Sequence, residues 1–289
     1  MKKKIPEGPV WLDGALVPSE KAGLALTDPA VQSGVGVFET LAVREGLPLD
    51  WEEHLGRLKT TAERLSVPLP DAKMLASAVT ALAAQVKGGF GWLKILAVRG
   101  NHCAVFSGVM DESEEGRSVS AVLLPWRRSP SDPLSGLKTL NYAAFTLGLE
   151  EANRRGADEG IWLNTRGHLA EACTSNLFVV SRRKIFTPGL RDGVLPGVTR
   201  SLALRGAQKL GLIIHEGKVR LRRLETADEA FLTSSLKGVR PLVVFQGRPV
   251  GRGEPGPITR AVAKEVSALR RPFQPVASAG AAGGQKGEG

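Results

Sequence analysis

The sequence predicts an α+β fold in two lobes, because helix-like and strand-like segments alternate along it and one irregular stretch divides it. Residues 52–66 repeat apolar side chains with helical spacing, whereas residues 92–98 have the character of a strand. Residues 126–136 contain two prolines and no periodicity, which is typical of an interdomain connection. We therefore predict a smaller lobe over residues 1–125 and a larger lobe over residues 137–272.

The first lobe is expected to combine short strands with two amphipathic helices. In the first helix, Leu55, Leu58, Ala62 and Leu65 fall on one face. Asp71 is expected to cap the second helix, because its carboxylate can accept hydrogen bonds from the free N–H groups of the first turn. The predicted order is strands and turns around residues 11–14, a turn at 27–29, helices at 52–66 and 71–87, and strands at 92–98 and 119–124.

The second lobe is expected to contain more strands, interrupted by three helices. The predicted order is a helix at 142–155, a strand at 159–164, a turn at 165–168, strands at 176–180 and 184–187, a loop at 188–197, a helix at 198–210, strands at 212–216, 229–233 and 241–245, and a helix at 257–270. Residues 273–289 are rich in glycine and alanine and have little to bury, so they are predicted to be a disordered tail.

Composition excludes several classes of protein. No apolar stretch approaches the roughly 18 residues of a membrane helix, and the basic N-terminus lacks the apolar run of a signal peptide. The two cysteines, Cys103 and Cys173, fit no metal or disulfide framework. We therefore expect a cytoplasmic protein that binds neither a membrane nor a metal ion.

The net charge of +10 raises the question of nucleic-acid binding. The basic residues, however, form short and scattered clusters without interleaved aromatic residues, and the chain has one tyrosine. Surface charge is the favoured interpretation, and the non-enzyme alternative is a basic RNA- or DNA-binding protein or a relic of an enzyme fold. The clusters are at residues 2–4, 182–184, 220–223 and 270–271.

Three short segments carry the functional prediction. Lys138 lies in Gly-Leu-Lys-Thr-Leu-Asn-Tyr (136–142), Gly-Ala-Asp-Glu (156–159) follows, and Glu171 lies in Ala-Glu-Ala-Cys-Thr-Ser-Asn (170–176). One lysine carries little information alone, but the order and separation of these segments resemble the fold-type IV pyridoxal-phosphate (PLP) enzymes. That family contains branched-chain and D-amino-acid aminotransferases and 4-amino-4-deoxychorismate lyase.

The resemblance implies two α+β lobes, as in D-amino-acid aminotransferase, with PLP in the cleft between them. It also implies that Lys138 forms a Schiff base with the cofactor and that Glu171 faces the pyridine nitrogen. PLP catalysis needs both groups, because a carboxylate beside the nitrogen keeps it protonated and lets the ring draw electrons from a carbanion. Most relatives have Glu-Gly here, whereas Ala172 follows Glu171 in this chain, a difference of one methyl group.

A phosphate site is implied as well. Residues 193–200 end a loop and open a helix, and N–H groups at a helix N-terminus bind anions readily. In the family such groups hold the cofactor phosphate, and they map onto Val198 and Thr199. The resemblance adds Ser235 as a second wall and Arg57 as a charged partner of the phosphate.

Substrate contacts are implied on the first lobe. Phe38 and Thr40 lie on a segment whose side chains face the substrate in relatives, although Val35 stands where many relatives have Asp. Arg99 and His102 could clamp a substrate carboxylate, as an arginine and a histidine do in D-amino-acid aminotransferases.

Local alternatives remain open for some of these residues. Arg57 could form a surface pair with Glu53 one turn away. Tyr142 could hydrogen-bond the phenolic oxygen of the cofactor or simply pack in its helix. The residues expected to be structural or superficial are Cys173, His54 and His168.

Among the reactions of the family, the sequence favours aminodeoxychorismate lyase, which yields 4-aminobenzoate and pyruvate for folate biosynthesis. The reasons are the compact chain, the pattern of residues 235–242, and a hydroxyl at Thr40 that could assist a leaving group. A branched-chain or D-amino-acid aminotransferase is the alternative. In either case the resemblance implies a small anionic, amino-acid-like substrate and a homodimer.

Overall fold

The computed structural model describes residues 8–274 and contains two β-sheets flanked by helices. The first sheet has the strand order β2-β1-β6-β5-β3-β4. Its strands are β1 (Val10–Leu12), β2 (Ala15–Val17), β3 (Gly36–Arg44), β4 (Leu47–Pro48), β5 (Phe90–Val98) and β6 (His102–Val109). The helices beside it are α1 (Pro29–Ser33), α2 (Trp51–Leu65) and α3 (Ala72–Ala83).

The second sheet has the order β12-β11-β10-β13-β14-β7-β8-β9, with β15 paired to β14. Its strands are β7 (Val119–Arg128), β8 (Glu159–Asn164), β9 (Leu169–Ala172), β10 (Asn176–Ser181), β11 (Lys184–Pro188), β12 (Ile213–Gly217), β13 (Glu229–Ser234), β14 (Gly238–Phe245) and β15 (Arg248–Pro249). Its helices are α4 (Ala143–Arg154), α5 (Val198–Lys209), α6 (Leu221–Glu225) and α7 (Pro257–Leu269).

The two faces of the first sheet have different roles. Side chains alternate along a strand, so Val37, Leu41 and Val43 of β3 point to one face and are completely buried in the core that includes α2 and α3. Phe38 and Thr40 point to the opposite face. That face turns toward the second lobe, since Lys138 and Tyr142 both contact the Phe38 ring.

The core of the second lobe lies on both sides of its sheet. On one side, the rings of Phe178 and Phe231 stack with their centroids 4.7 Å apart, in a cluster with apolar residues of α5 and α7. Helix α4 connects β7 to the parallel strand β8, as expected for a crossover between parallel strands. Among the described residues, no helix is both long and apolar enough to cross a bilayer.

The predicted helices at 52–66, 142–155, 198–210 and 257–270 are confirmed within one residue at each end. The helix predicted at 71–87 ends at Ala83, shortly before two glycines, Gly88 and Gly89, that adopt positive φ. The elements that were not predicted are very short or lack a clear period, and they include α1, β4, β6, β9, α6 and β15.

Two sequence-based boundaries require correction. Residues 119–124 were assigned to the first lobe, but β7 pairs with β14 and β8 in the second sheet and continues to Arg128, into the predicted linker. Phe273 was assigned to a disordered tail, yet its N–H donates to the Pro48 carbonyl at 2.9 Å and its ring packs against Trp51. The rest of the predicted tail, beyond residue 274, lies outside the described residues.

Candidate active site

Lys138 lies where the chain of the second lobe runs beside β3. The N–H of Phe38 donates to the Lys138 carbonyl at 3.1 Å, and the N–H of Leu140 donates to the Gly36 carbonyl at 2.9 Å. Only glycine fits at position 36, because a Cβ there would lie 2.5 Å from Leu140 Cδ1 and 2.9 Å from the Ala97 carbonyl oxygen. These contacts place the Lys138 amine over the Phe38 ring, with Nζ 4.2 Å from the ring centroid.

The environment of Lys138 lowers the pKa of its amine. Burial and the nearby Arg57 guanidinium lower the pKa of Lys138 to about 8, although Glu39 and Glu171 oppose the shift. An amine with such a pKa is available as a nucleophile or base near neutral pH.

A second lysine, Lys94 of β5, approaches the same ring and was missed in the sequence. Its Nζ lies 4.8 Å from the Phe38 centroid, and burial lowers its pKa. Within residues 8–274, no carboxylate forms an ion pair with it. Thr40 lies directly opposite Lys94 in the β3–β5 register, so a hydroxyl and a cation share this wall of the site.

Glu171 is the next-to-last residue of strand β9, and its carboxylate accepts hydrogen bonds from three donors. Its Oε1 accepts from Arg128 Nη1 at 3.1 Å, while its Oε2 accepts from the Leu195 N–H at 2.9 Å and from Asn176 Nδ2 at 3.3 Å. Burial raises the pKa of Glu171, and Arg128, the Leu195 N–H and Lys138 act against that shift. Arg128 lies in the segment predicted as a linker, which had no feature indicating this contact.

The N-terminus of α5 forms a cradle for an anion. Its N-cap residue, Gly197, provides no side chain to cap the first turn, which begins at Val198. A Cβ at position 197 would lie 2.0 Å from Asn176 Oδ1, so glycine is required for this close packing. The Thr199 hydroxyl is buried and has no hydrogen-bond partner among the described residues, which fits a phosphate in the cradle.

Arg57 reaches the same loop from helix α2. Its Nη1 donates to the Pro196 carbonyl at 3.0 Å. Its Nε and Nη2 donate to both oxygens of Glu39, at 2.7 and 2.8 Å, so the predicted alternative of a surface pair with Glu53 is wrong. His54 Nδ1 lies 2.7 Å from Glu39 Oε2, and this histidine is buried.

Glu39 is completely buried beneath α2, because it points to the same face of β3 as the core residues Val37 and Leu41. Burial alone would raise its pKa, but Arg57 and His54 outweigh burial and hold the pKa of Glu39 well below its ordinary value. The sequence offered one signal of this pair, an acidic residue inside an apolar strand.

Ser235 lies in the turn between β13 and β14. Its carbonyl accepts a hydrogen bond from Arg270 Nη2. The Thr233 hydroxyl nearby along the chain is buried without a partner among the described residues. The predicted role of the Ser235 side chain stays a prediction.

Tyr142 forms part of the wall beside Phe38. Its hydroxyl donates to the Cys173 carbonyl at 3.0 Å, and its ring stacks on Phe145 with the centroids 4.8 Å apart. It also meets the Phe38 ring edge-on at 5.5 Å. The packing role considered for Tyr142 is therefore present, and its bond to the cofactor stays a prediction.

Arg99 and His102 are engaged elsewhere. Arg99 Nη2 donates to the Leu65 carbonyl, at the end of α2, at 2.9 Å. His102 Nδ1 lies 2.7 Å from Asp13 Oδ2, and this hydrogen bond raises the pKa of His102. No contact between described residues brings either side chain to Lys138. Their predicted role as a carboxylate clamp stays a prediction, and His102 lines the same cavity as Leu96 and Phe106.

No group of three or more His, Cys, Asp or Glu residues within residues 8–274 could hold a metal ion. The cluster consists instead of an amine with a lowered pKa, a buried carboxylate and an uncapped helix N-terminus. This donor set fits a cofactor that carries an aldehyde, a basic ring nitrogen and a phosphate.

A family model described as amino-transferase class IV matches residues 36–244 of the chain. The match covers well over half of the sequence, so the protein belongs to the class IV aminotransferases. This match confirms the family resemblance, and the likeness to the solved structures given below confirms the predicted α+β fold.

The relatives in this family include a putative branched-chain-amino-acid aminotransferase of Methanocaldococcus jannaschii, which is 26% identical over 90% of this chain and 96% of the relative. The branched-chain aminotransferase of Thermoproteus uzoniensis, solved with norvaline, has a TM-score of 0.83 and 28% identity, covering 90% and 93% of the two chains. The enzyme of Thermobaculum terrenum in its PLP form has a TM-score of 0.82 and 25% identity, covering 92% and 94%.

Proposed function

We propose that this protein is a PLP-dependent aminotransferase that moves an amino group from an amino acid with an apolar side chain to a 2-oxo acid. The observation that carries the proposal is the position of Lys138, a partly buried amine with a lowered pKa that is influenced by both Arg57 and Glu171. The names of the relatives, which span nearly the same length, support a branched-chain substrate.

The residues fit PLP in one orientation. Lys138 would bond the aldehyde, and Glu171 would hold the ring nitrogen. Val198 and Thr199 would bind the phosphate through their N–H groups and the Thr199 hydroxyl, with Arg57 and Ser235 as its further partners. When bound, the cofactor supplies a ring that withdraws electrons from the amine-bearing carbon.

Lys138 would then act as the base that takes a proton from that carbon and delivers it to the former aldehyde carbon, two bonds away. A pKa of about 8 suits both tasks, because proton transfer is most effective when the pKa lies near the working pH. The Phe38 ring below Nζ fixes the direction of the amine.

The first sheet supplies the substrate wall. Lys94 offers an unpaired positive charge for a carboxylate, and it lies on the same sheet face as Phe38 and Thr40. An apolar cavity of about 390 Å³ continues along this face, and its walls include Leu96 and Phe106, the cross-strand neighbours of Phe38 and Lys94. These features favour a substrate with one carboxylate and an apolar side chain.

Aminodeoxychorismate lyase, the activity favoured by the sequence, is the second candidate. One observation supports it: Thr40 stands opposite Lys94, so a hydroxyl and a cation could together assist an oxygen leaving group. The relatives named above favour the aminotransferase, so the order of the two hypotheses is reversed relative to the sequence analysis.

A paired assay tests this order. The holoenzyme is incubated with leucine and 2-oxoglutarate, with D-alanine and 2-oxoglutarate, and with aminodeoxychorismate, while glutamate and pyruvate are measured. Lys138→Ala serves as the blank. We expect glutamate from leucine and no pyruvate above the blank from aminodeoxychorismate, whereas pyruvate without glutamate would establish the lyase instead.

Four predictions about location, assembly, partners and domain organisation stay predictions. They are the cytoplasmic location, the homodimer, the absence of nucleic-acid binding and the division into lobes. For the last, we place the boundary before Val119, because β7 belongs to the second sheet.

A further inference from the structure

Residues 270–273, which we call the C-terminal strap, leave α7 on the second lobe and return to the first. The Asp50 N–H donates to the Arg271 carbonyl at 2.8 Å, and the Arg271 N–H donates to Asp50 Oδ1 at 3.0 Å. Leu49 forms a bridge with Pro272, and the Phe273 N–H donates to the Pro48 carbonyl. The strap therefore continues the edge of the first sheet at the point where α2 begins.

Arg270 connects the strap to the turn that contains Ser235. Its side chain is 6% exposed; its Nη2 donates to the Ser235 carbonyl, and its Nε lies 3.9 Å from Asp50 Oδ2. Asp50 is the N-cap residue of α2, yet its carboxylate makes no capping bond and is directed to the strap instead. One buried guanidinium thus touches both the start of α2 and the turn.

These two elements carry two residues that the proposed function assigns to the cofactor phosphate. Helix α2 presents Arg57 less than two turns after Asp50, and the turn presents Ser235. Leu236 of the same turn is buried against Leu49 and Trp92 of the first lobe, so the turn already rests on that lobe. Arg270 donates to the Ser235 carbonyl, next to Leu236 in this turn.

We propose that Arg270 is a positioning residue for the cofactor phosphate. By holding the Ser235 turn against the N-terminus of α2, it sets the separation between Ser235 and Arg57. This inference rests on the proposed phosphate site and goes beyond the proposed reaction.

The test compares PLP with pyridoxal, which lacks the phosphate, by titrating each into the full-length apoprotein and following absorbance. Arg270→Gln should weaken PLP binding by about tenfold, the effect of one charge-assisted contact, with little change for pyridoxal. Arg271→Gln is the matched control, because the side chain of Arg271 is exposed and its contacts to Asp50 come from the backbone. It should change neither affinity by more than about twofold.

Arg57→Gln distinguishes a failure of the proposed phosphate site from a failure of the proposed role of Arg270. If it leaves the preference for PLP over pyridoxal intact, the proposed phosphate site is wrong. If it abolishes that preference but Arg270→Gln does not, the strap inference alone is refuted. Equal losses for PLP and pyridoxal in Arg270→Gln would show a general structural role and would also refute it.

Arg270→Lys covers the case in which Arg270→Gln does not fold. It keeps the charge but cannot reach both Ser235 and Asp50 with one planar group, so it should reproduce the selective loss of PLP affinity. Unchanged affinity for PLP in a folded Arg270→Lys protein would overturn the proposal.

Discussion

Replacing Glu39 with Gln probes the buried charge that holds Arg57 in place. Glu39 is completely buried, and it accepts two hydrogen bonds from Arg57 at 2.7 and 2.8 Å and contacts His54 at 2.7 Å. The substitution keeps the shape but leaves Arg57, whose side chain is 9% exposed, without a counter-charge. Breaking a buried pair from one side costs about 3–5 kcal/mol of unfolding free energy, and we expect a loss in that range for Glu39→Gln.

The pH dependence gives this prediction a specific sign. The pKa of Glu39 is depressed in the folded protein, so its stabilising effect is complete above the ordinary carboxyl pKa of about 4.5 and is lost as the pH falls toward the folded-state value. The difference in stability between wild type and Glu39→Gln should therefore be largest near neutral pH and shrink on acidification.

Urea denaturation of the apoprotein from pH 7 to as far below pH 4.5 as the protein stays folded measures both quantities. Glu53→Gln is the control, because Glu53 lies on the same helix, is partly exposed and only reaches Arg205 at 4.0 Å. It should cost less than about 1 kcal/mol. A Glu39→Gln loss no larger than that of the control, or one that does not shrink in acid, would refute the reasoning.

Three further predictions concern the site itself. Because the pKa of Lys138 is about 8, the rate at which apoprotein reacts with pyridoxal should rise with pH around a midpoint near 8, and a midpoint near that of surface lysines would contradict this environment. Thr199→Val removes a buried hydroxyl that has no partner among the described residues, so apoprotein stability in thermal unfolding should change little while PLP affinity falls by about tenfold; unchanged affinity would exclude the hydroxyl from the phosphate site. Arg128→Gln removes a cation that opposes the raised pKa of Glu171, so the pKa of Glu171 should rise further; the absorbance of the bound cofactor should then change at a higher pH, and an unaltered titration would show that Arg128 does not tune Glu171.

The spacing of apolar residues and the position of glycines were sufficient to predict several helices. Helix α2 was predicted because its apolar residues recur with helical spacing, and α5 because a glycine-containing loop precedes a helical run. Lys138 and Glu171 were predicted from the order of three segments. In the fold each of the two groups shifts the pKa of the other, and their assignment to one cofactor site stays a prediction.

Long-range pairing accounts for most of what could not be predicted. Strand β7 joins a sheet whose other strands lie more than 30 residues away, and no period in its sequence specifies that partner. Arg128 meets Glu171 across 43 positions of sequence, and Arg270 meets Asp50 only because the strap returns to the first lobe. Phe273 was assigned to the tail because the residues that follow it in the sequence have little apolar surface to bury, although its own ring packs against Trp51.

Borohydride reduction of the PLP-loaded protein, followed by peptide mapping, tests the central claim most directly. Two lysines, Lys138 and Lys94, approach the Phe38 ring at 4.2 and 4.8 Å, so the experiment has a built-in competitor. We predict that the reduced cofactor is found on the peptide containing Lys138 and that Lys94→Met still carries it there. A tag on Lys94, on another lysine, or on none would contradict the assignment of the active site.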